Sequence, residues 1–292
     1  MCNFITIICT NLLLLCKIFK TNCMTKFRNS HVLITGGGSG IGRIMGRIAL
    51  EKGAKSLTIW DINEKNLADT QQALAPIGTV YTHKVNVSNP EQIKTAAQAT
   101  LKVCSQIDIL INCAGIVANN KTFDQQSEQD ILRTMNINAT APMLVSLAFL
   151  PDMIKRNFGH ICNIGSAAGM ISNPRMSVYA ASKWATIGWS DSLRIELKQA
   201  KSNVHISTIA PYFINTGMFD GVKSRFFPIL KAEPTAKKII KAIEKNRNFK
   251  GLPFGFHFIR FWQAILPTFL FDFIFGEVVG IFHGMEQFTG RK

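Results

Sequence analysis

Tyr179 and Lys183 stand four residues apart at the head of a helical apolar pattern formed by Trp184, Ile187, Leu193, Ile195 and Leu197. Residues i and i+4 of a helix lie one above the other on one face, so the phenol and the ammonium point the same way. A free phenol titrates near 10, roughly three units too high for a good base at neutral pH. An ammonium one turn away favours the phenolate and lowers that value. Ser166 follows the apolar run His160-Ile-Cys-Asn-Ile164, which puts it at the end of a strand where its hydroxyl can hold a substrate oxygen. The chemistry this trio suits is proton transfer at an oxygen held by a serine. A Tyr-x-x-x-Lys pair alone is usually a surface accident. The serine at that offset and a glycine-rich loop upstream make the catalytic reading the stronger one.

Those side chains need a scaffold, and the chain alternates strand and helix patterns to supply one. His31 to Thr35 is a short strand, followed by Thr-Gly-Gly-Gly-Ser-Gly-Ile-Gly from Thr35 to Gly42 and by the helical pattern Ile44, Met45, Ile48, Ala49. A strand, a glycine-rich turn and a helix N-terminus make a pyrophosphate cradle. Gly36, Gly40 and Gly42, with Ile41 among them, let backbone N–H groups approach the phosphates, and the helix dipole favours the anion. The second strand, Ser56 to Trp60, ends in Asp61. That acid lies about twenty residues past the loop, where a carboxylate accepts from the adenosine ribose hydroxyls. It would repel a ribose phosphate, and no basic residue stands at Ser39 or Ile62 to offset it. NAD is therefore expected over NADP.

A third strand is expected over 80–87, ending in Asn86 and Val87, and a helix over 90–103. A fourth strand over 107–112 runs into Asn112-Cys113-Ala114-Gly115, small residues that let the backbone pass close beside a cofactor. Residues 127–157 read as one long helix carrying Asn136 and Asn138, with Pro142 inside it. A buried polar residue there needs partners. Asn136 either shapes the helix and holds a water or is satisfied at the surface. Val204 to Ala210 is a sixth strand. The loop from Pro211 through Thr216 to Val222 is rich in glycine and large apolar residues and suits a mobile lid over a greasy substrate. Strands alternating with helices demand right-handed crossovers and a doubly wound parallel α/β sheet, a Rossmann-like single domain over residues 29–250.

The 292 residues suit one large domain with appendages, and a 47% hydrophobic content is ample for its core. The formal charge of +15, from 33 Lys+Arg against 18 Asp+Glu, points to an anionic surface as partner. The sequence has no nucleic-acid module, and its basic residues lie beside apolar segments, so a membrane is expected and nucleic acid is not. Residues 4–16 are almost entirely apolar, and Ile18-Phe19 extend the run. A helix over 4–19 would be about 24 Å long, short of the roughly 30 Å hydrocarbon core. Lys17, Lys20, Lys26 and Arg28 follow it without a small-residue cleavage site. An uncleaved anchor over residues 1–24 is expected, with the catalytic domain facing the cytosol. Ten Lys/Arg between Lys223 and Arg260 precede or enter an aromatic, Pro- and Gly-broken stretch. Residues 251–292 therefore read as a membrane-surface element. The seven cysteines are odd in number and lack short Cys-x-x-Cys spacing, which argues against a disulfide framework or a metal site. Cys2, Cys9, Cys16 and Cys23 recur every seventh residue, as a lipid-facing stripe or as a site of S-acylation at Cys16 or Cys23.

In order and spacing, Thr35-Gly-x-x-x-Gly-x-Gly42, Asn112-x-Ala-Gly115, Asn136, Ser166 and Tyr179-x-x-x-Lys183 resemble the motifs of the short-chain dehydrogenase/reductases, over about residues 29–220. Phe149-Leu-Pro-x-Met153, Gly159-His-Ile and Thr216-Gly-Met-Phe-Asp-Gly221, with the two apolar ends, resemble the branch holding retinol and lipid-droplet 17-beta-hydroxysteroid dehydrogenases. The resemblance implies hydride transfer between NAD(H) and a lipophilic alcohol or carbonyl. It implies Tyr179 as proton donor and acceptor, Lys183 on the nicotinamide ribose, Ser166 orienting the substrate, Asn136 in a proton relay and Thr216 at the carboxamide. Thr35, Gly36, Gly40, Ile41, Gly42, Asp61, Asn86, Val87, Asn112, Ala114, Gly115 and Pro211 join the implied cofactor contacts.

The resemblance also implies attachment to the endoplasmic reticulum membrane or a lipid droplet, and leaves the oligomeric state open between a homodimer and a tetramer. The sequence departs from the family pattern in places: Cys113 replaces a usual Asn, Asn86 an adenine-contacting Asp, and Tyr212 a Gly common in the wider family. Met170, Pro174, Met176, Tyr212, Phe213, Met218 and Phe219 are expected to line an apolar substrate pocket. A competing reading is a membrane or lipid-droplet coat protein with a vestigial site. Retention of Asn136, Ser166, Tyr179 and Lys183 together argues against it.

Overall fold

The structure is a computed structural model that describes residues 24–290. The expected N-terminal anchor, apart from Met24, and its cysteine stripe lie outside the described residues. Strands β1 (His31–Thr35), β2 (Ser56–Asp61), β4 (Ile109–Asn112), β5 (Gly159–Ile164) and β6 (Val204–Pro211) are runs of almost wholly buried residues. Such runs belong to a sheet covered on both faces, the setting of parallel strands. With β3 (Val80–Lys84) and β9 (Phe249–Leu252) they form one parallel sheet in the order β3-β2-β1-β4-β5-β6-β9, apart from a two-stranded pair of β7 (Ile214–Asn215) and β8 (Leu230–Lys231). The expected doubly wound α/β fold is what forms. The domain boundary expected at 250/251 is not, because it cuts β9, whose Lys250 and Gly251 pair with Ile209 and Ala210 of β6. The run is only four residues long and carries Lys250, so its apolar signal merged with the aromatic segment behind it.

Helices α1 (Gly40–Glu51), α2 (Glu64–Leu74) and, later in the chain, α7 (Ala232–Glu244) cover one face through Met45, Ile48, Leu67, Ile239, Ile240 and Ile243. Helices α3 (Pro90–Cys104), α5 (Ala141–Arg156) and α6 (Ser177–Gln199) cover the other through Ile93, Val145, Phe149, Met153, Leu193 and Leu197.

The long helix expected over 127–157 forms in two parts. Helix α4 (Glu128–Met135) passes through one wide π turn, Asn136–Thr140, into α5. Pro142 explains the break. It has no N–H to give to the carbonyl four residues back, and its ring crowds that turn. The orphaned carbonyl, that of Asn138, accepts instead from Thr186 Oγ1 of α6 at 2.8 Å. Residues Glu128–Arg156 are long and apolar enough to cross a membrane. Their inner side packs on the sheet and on α3, however, so this is a core helix.

Beyond β9 the chain folds back in short pieces: α8 (Ile259–Ile265), α9 (Thr268–Phe271) and a wide turn over Asp272–Val278. Phe256, Ile259, Phe271, Ile281 and Met285 are buried in a cluster that also holds Tyr179 and Phe213. Phe254, Phe258, Phe261, Trp262, Ile265, Phe269 and Phe273 are exposed, Phe269 by 75%. The expected membrane-surface segment therefore has an inner face that belongs to the domain core.

Candidate active site

The sheet order reverses between β1 and β4, and the ends of those two strands open a crevice. A cleft of about 280 Å³ fills it. One wall is the turn from Gly36 into α1, where Gly36 and Gly40 have φ of 67° and 54° and so need glycine. A Cβ on Gly42 would lie 2.3 Å from the Gly36 carbonyl oxygen, and one on Gly36 would lie 2.8 Å from Ala114 Cα. The turn is wound so tightly that the first turn of α1, through Gly40, Ile41 and Gly42, faces the cleft. Asp61 closes the far end. Its Oδ2 accepts from Gly38 N–H at 3.0 Å and its Oδ1 from Asn63 N–H at 3.0 Å. A carboxylate has about four lone-pair sites, so capacity remains for two ribose hydroxyls. Asn86, Val87, Ala114, Gly115, Pro211 and Thr216 line the rest, as expected. A glycine cradle at a helix N-terminus with a carboxylate beyond it fits a dinucleotide: the turn would hold its pyrophosphate and Asp61 its adenosine ribose.

At the other end of the cleft stand Ser166, Tyr179 and Lys183. Ser166 sits just past β5 and accepts from Ala168 N–H at 3.2 Å, which fixes its side chain. Tyr179 and Lys183 occupy the first two turns of α6. Lys183 Nζ lies 5.8 Å from the Tyr179 ring centre and donates to the Ile164 carbonyl at 2.9 Å. Burial dominates both groups. It pushes the Tyr179 phenol up to about 12, against a lowering contribution from the Ser166 hydroxyl, and pushes the Lys183 ammonium down to about 8, partly offset by Cys113. The sequence expectation that Lys183 would lower the phenol is reversed in the free protein, where desolvation dominates and the lowering contribution comes from the Ser166 hydroxyl. Burial also raises Cys113, in the same cleft, to about 12. Cys113 is thus a thiol and not a nucleophilic thiolate.

Three expected site residues lie outside the cleft. Thr35 is buried at the end of β1 and its Oγ1 accepts from the N–H groups of Cys113 and Ala114 at 3.1 and 3.2 Å, tying β1 to the turn after β4. Asn112 turns its side chain into the helix layer, donating to Asn163 Oδ1 at 2.8 Å and to Ser146 Oγ at 3.0 Å. Asn136 is exposed on the π turn. Asn138, two residues on, takes its expected place: it is fully buried, accepts from Ile116 N–H at 2.8 Å, and donates to the Ile116 carbonyl at 2.9 Å and to Ser182 Oγ at 3.1 Å. Two residues is more than half a helical turn, so the shift moves the amide from solvent to core. The signal that favoured Asn138 was Pro142, which fixes where the turn widens.

Among the expected substrate-pocket residues, Tyr212, Met218 and Phe219 line the cleft. Met176 and Phe213 line a smaller cavity behind Ser166, Met170 is core, and Pro174 is exposed. The edge of Phe219 meets the Tyr179 ring at 6.1 Å, so a large apolar side chain caps the candidate proton donor. The expected lid is anchored by the C-terminal tail, with Thr289 N–H donating to the Asp220 carbonyl at 2.9 Å and Lys223 N–H to Gly284 at 3.2 Å. Arg133 and Ile137 also line the cleft, and nothing in the sequence marked them.

The geometry has counterparts in known proteins. The family model described as short chain dehydrogenase matches residues 30–225. Epidermal retinol dehydrogenase 2 of Mus musculus is 35% identical over 268 residues, covering 89% of this chain and 85% of the relative. Estradiol 17-beta-dehydrogenase 11 of Homo sapiens is 32% identical over 253 residues, covering 86% and 84%. A short chain dehydrogenase/reductase from Burkholderia phymatum, solved in complex with NAD, superposes with a TM-score of 0.76 at 27% identity, over 82% of this chain and 95% of that one.

The contrast between the two asparagines gives a direct test. Asn138→Ala should cut turnover roughly tenfold or more by freeing Ile116 and loosening the start of α6, since small misplacements are costly in catalysis. Asn136→Ala should stay within about twofold of wild type. Initial rates of the two variants side by side check this, and equal losses would contradict it.

Proposed function

The chain belongs to the short chain dehydrogenase family and is an oxidoreductase of alcohol and carbonyl groups that uses NAD or NADP; on that premise we propose the roles of its residues, its cofactor preference and its lipophilic substrate. The observation that carries the reading is the convergence of Ser166, Tyr179 and Lys183 at one end of a cleft whose other end is the glycine turn. When bound, the nicotinamide supplies the hydride acceptor or donor. Ser166 holds the substrate oxygen beside the Tyr179 phenol. Tyr179 gives its proton to that oxygen in carbonyl reduction and takes it back in alcohol oxidation. Lys183 stands behind Tyr179 with its charge toward the ribose end of the cleft. Asn138 works at one remove, holding Ile116 and α6 in register.

Asp61 supports NAD as the preferred cofactor. Its carboxylate stands where a ribose phosphate would bring a second negative charge. Tyr212, Met218 and Phe219 support a lipophilic substrate, because they offer apolar surface and little polar chemistry to a bound molecule. The two relatives named above are titled for a retinoid and a steroid, both lipophilic alcohols. A complete candidate site also speaks against a coat protein with a vestigial one.

The exposed outer face of the C-terminal segment supports docking on a membrane or lipid-droplet surface. An apolar face of this extent is uncommon on a soluble monomer. Its basic neighbours suit an anionic lipid surface: Arg260 lies over Trp184 and Phe249 at 6.0 and 5.7 Å, and Lys250 over Phe254 at 5.9 Å.

Four outcomes are expected. Tyr179→Phe should lower turnover roughly a thousandfold while NADH binding, read by fluorescence, stays within about threefold. In wild type, alcohol oxidation should climb between neutral and alkaline pH, because it needs the deprotonated phenol that burial holds at about 12, while carbonyl reduction should not climb. A variant keeping a tenth of wild-type turnover, or an oxidation rate that falls with pH, would remove Tyr179 from the role. Asp61→Ala should narrow or reverse the NAD preference in kcat/KM, and a wild type favouring NADP by tenfold or more would contradict the assignment. Vesicles of brominated phospholipid should quench Trp262, measured on the full chain as the difference between wild type and Trp262→Phe. An unquenched Trp262 on vesicle-bound protein would rule out docking through this face.

A further inference from the structure

The apolar run ends at Phe19, and Met24 follows it closely in the chain. The stretch between them reaches at most roughly 18 Å when extended. From Thr25 on, the chain is pinned to the domain. Thr25 is buried, and its Oγ1 donates to Asn246 Oδ1 at 2.6 Å and lies 2.9 Å from Nδ1 of the fully buried His160. Phe27 is in the core, and Asn29 N–H donates to the Gly53 carbonyl at 2.8 Å. A segment held this way leaves the domain little freedom to turn about the apolar run. The surface around Met24 therefore lies nearest to whatever holds that run.

That surface is basic. A groove of about 740 Å³ runs between residues 24–28 and the ends of α1 and α7. Lys26, Arg28, Lys52, Lys237, Lys241 and Lys245 line it, against Glu51 and Glu244. A second groove of about 480 Å³ shares Lys241 and Lys245 and adds Lys238, Arg247 and Lys250, with no acid in its lining. Both acids of the first groove are already engaged, Glu244 with Lys52 at 2.8 Å and Glu51 with Arg47. Lys26, Arg28, Lys238, Lys241 and Lys245 pair with no carboxylate among the described residues. Like charges gathered without a counter-charge repel one another and weaken the fold, and an anionic partner relieves them.

The ends of this strip select among anions. Met24, 59% exposed, stands at one end, next in the chain to the apolar run. Phe254, 67% exposed, stands at the other and begins the exposed aromatic face. A phospholipid surface carries anionic headgroups over hydrocarbon, which matches a basic strip with apolar ends. Nucleic acid offers the phosphates without the hydrocarbon.

We propose that this strip docks on the headgroups of anionic phospholipid, so that the domain lies on the lipid surface along α7, from Met24 to Phe254. The inference rests on the lipid attachment proposed above. It adds a dependence on headgroup charge that the apolar faces alone do not have.

The test is a choice between two lipid surfaces. Full-length protein is diluted from detergent into an equal mixture of phosphatidylcholine vesicles and vesicles with phosphatidylserine as about a third of the lipid. One population is loaded with sucrose, so that centrifugation separates the two. Each basic side chain near an anionic leaflet strengthens binding about fivefold, so wild type should favour the anionic vesicles by roughly thirtyfold or more. The triple variant Lys238→Gln, Lys241→Gln, Lys245→Gln should lose at least about tenfold of that preference. A control, Lys94→Gln, Lys102→Gln, Lys198→Gln, removes the same charge from exposed positions of α3 and α6 on the opposite face. It should lose at most about threefold. Salt at about 0.5 M should bring the wild-type ratio close to one.

Equal losses in the two triple variants would mean that only net charge is read, and would overturn the strip. Equal capture of wild type by both vesicles, or a preference kept in the first variant, would overturn it too and leave the apolar attachment standing. Capture by neither vesicle would overturn both readings. Retention on immobilised duplex DNA without a lipid preference would assign the grooves to nucleic acid instead. Lys238, Lys241 and Lys245 are exposed, so their variant should keep the wild-type melting temperature. The wild-type ratio and its salt dependence decide the matter even without that variant.

Discussion

Lys183 is 5% exposed, and no carboxylate pairs with its ammonium among the described residues. Its hydrogen bond within the fold is to the carbonyl of Ile164. Holding a charge in that setting costs on the order of several kcal/mol, and the lowered affinity of Lys183 for its proton expresses the cost. The same burial raises Tyr179. A phenol kept protonated beside an ammonium that wants a partner is a site waiting for oxygen atoms: a carbonyl to receive the proton and hydroxyls to receive the ammonium's N–H groups. The proposed chemistry and the proposed hold on a ribose would both follow from one desolvated pair.

Holding such a pair requires rigid surroundings, and the polar contacts around the strand ends supply them. Asn112 of β4 bonds to Asn163 of β5, and Asn163 donates to Ser190 Oγ of α6 at 2.9 Å. Asn138 joins α6 to the turn after β4, and Thr186 of α6 takes up the carbonyl that Pro142 orphans. Directly or through one neighbour, these links run from a strand end or turn to the helix that carries Tyr179 and Lys183. On the opposite side, the glycines let α1 start at the cleft edge, and Asp61 is fixed by the same turn. Phe219 and the C-terminal tail close the top with apolar surface, which keeps water from relieving the burial.

Much of this was legible in the residues. The strand runs at His31, Ser56, Ile109, His160 and Val204 are short and apolar and bounded by turns, so the sheet could be counted. Ser166, Tyr179, Lys183, Asp61 and the glycine loop could be placed because each sits at the C-terminal end of a strand or the start of a helix. The misses share a cause, which is that side-chain direction depends on local geometry and not on spacing alone. A π turn moved the buried amide from Asn136 to Asn138. Thr35 and Asn112 sit at the right strand ends, but Thr35 ties down the turn after β4 and Asn112 aims into the helix layer. β9 was hidden because four residues with a lysine among them carry too little pattern. The direction of the Tyr179 shift was misread because the sequence displays the neighbouring charge but not the depth of burial that opposes it.

The account depends most on the state of the Tyr179 proton. An ultraviolet titration of tyrosinate absorbance, taken as the difference between wild type and Tyr179→Phe, reads it directly. The free protein should show no Tyr179 ionisation below the ordinary phenol value of about 10. Saturating NAD should bring the ionisation below that value. An ionisation of Tyr179 near neutral pH in the free protein, or a midpoint that NAD leaves unmoved, would contradict the claim that burial holds the proton and the occupied cleft releases it.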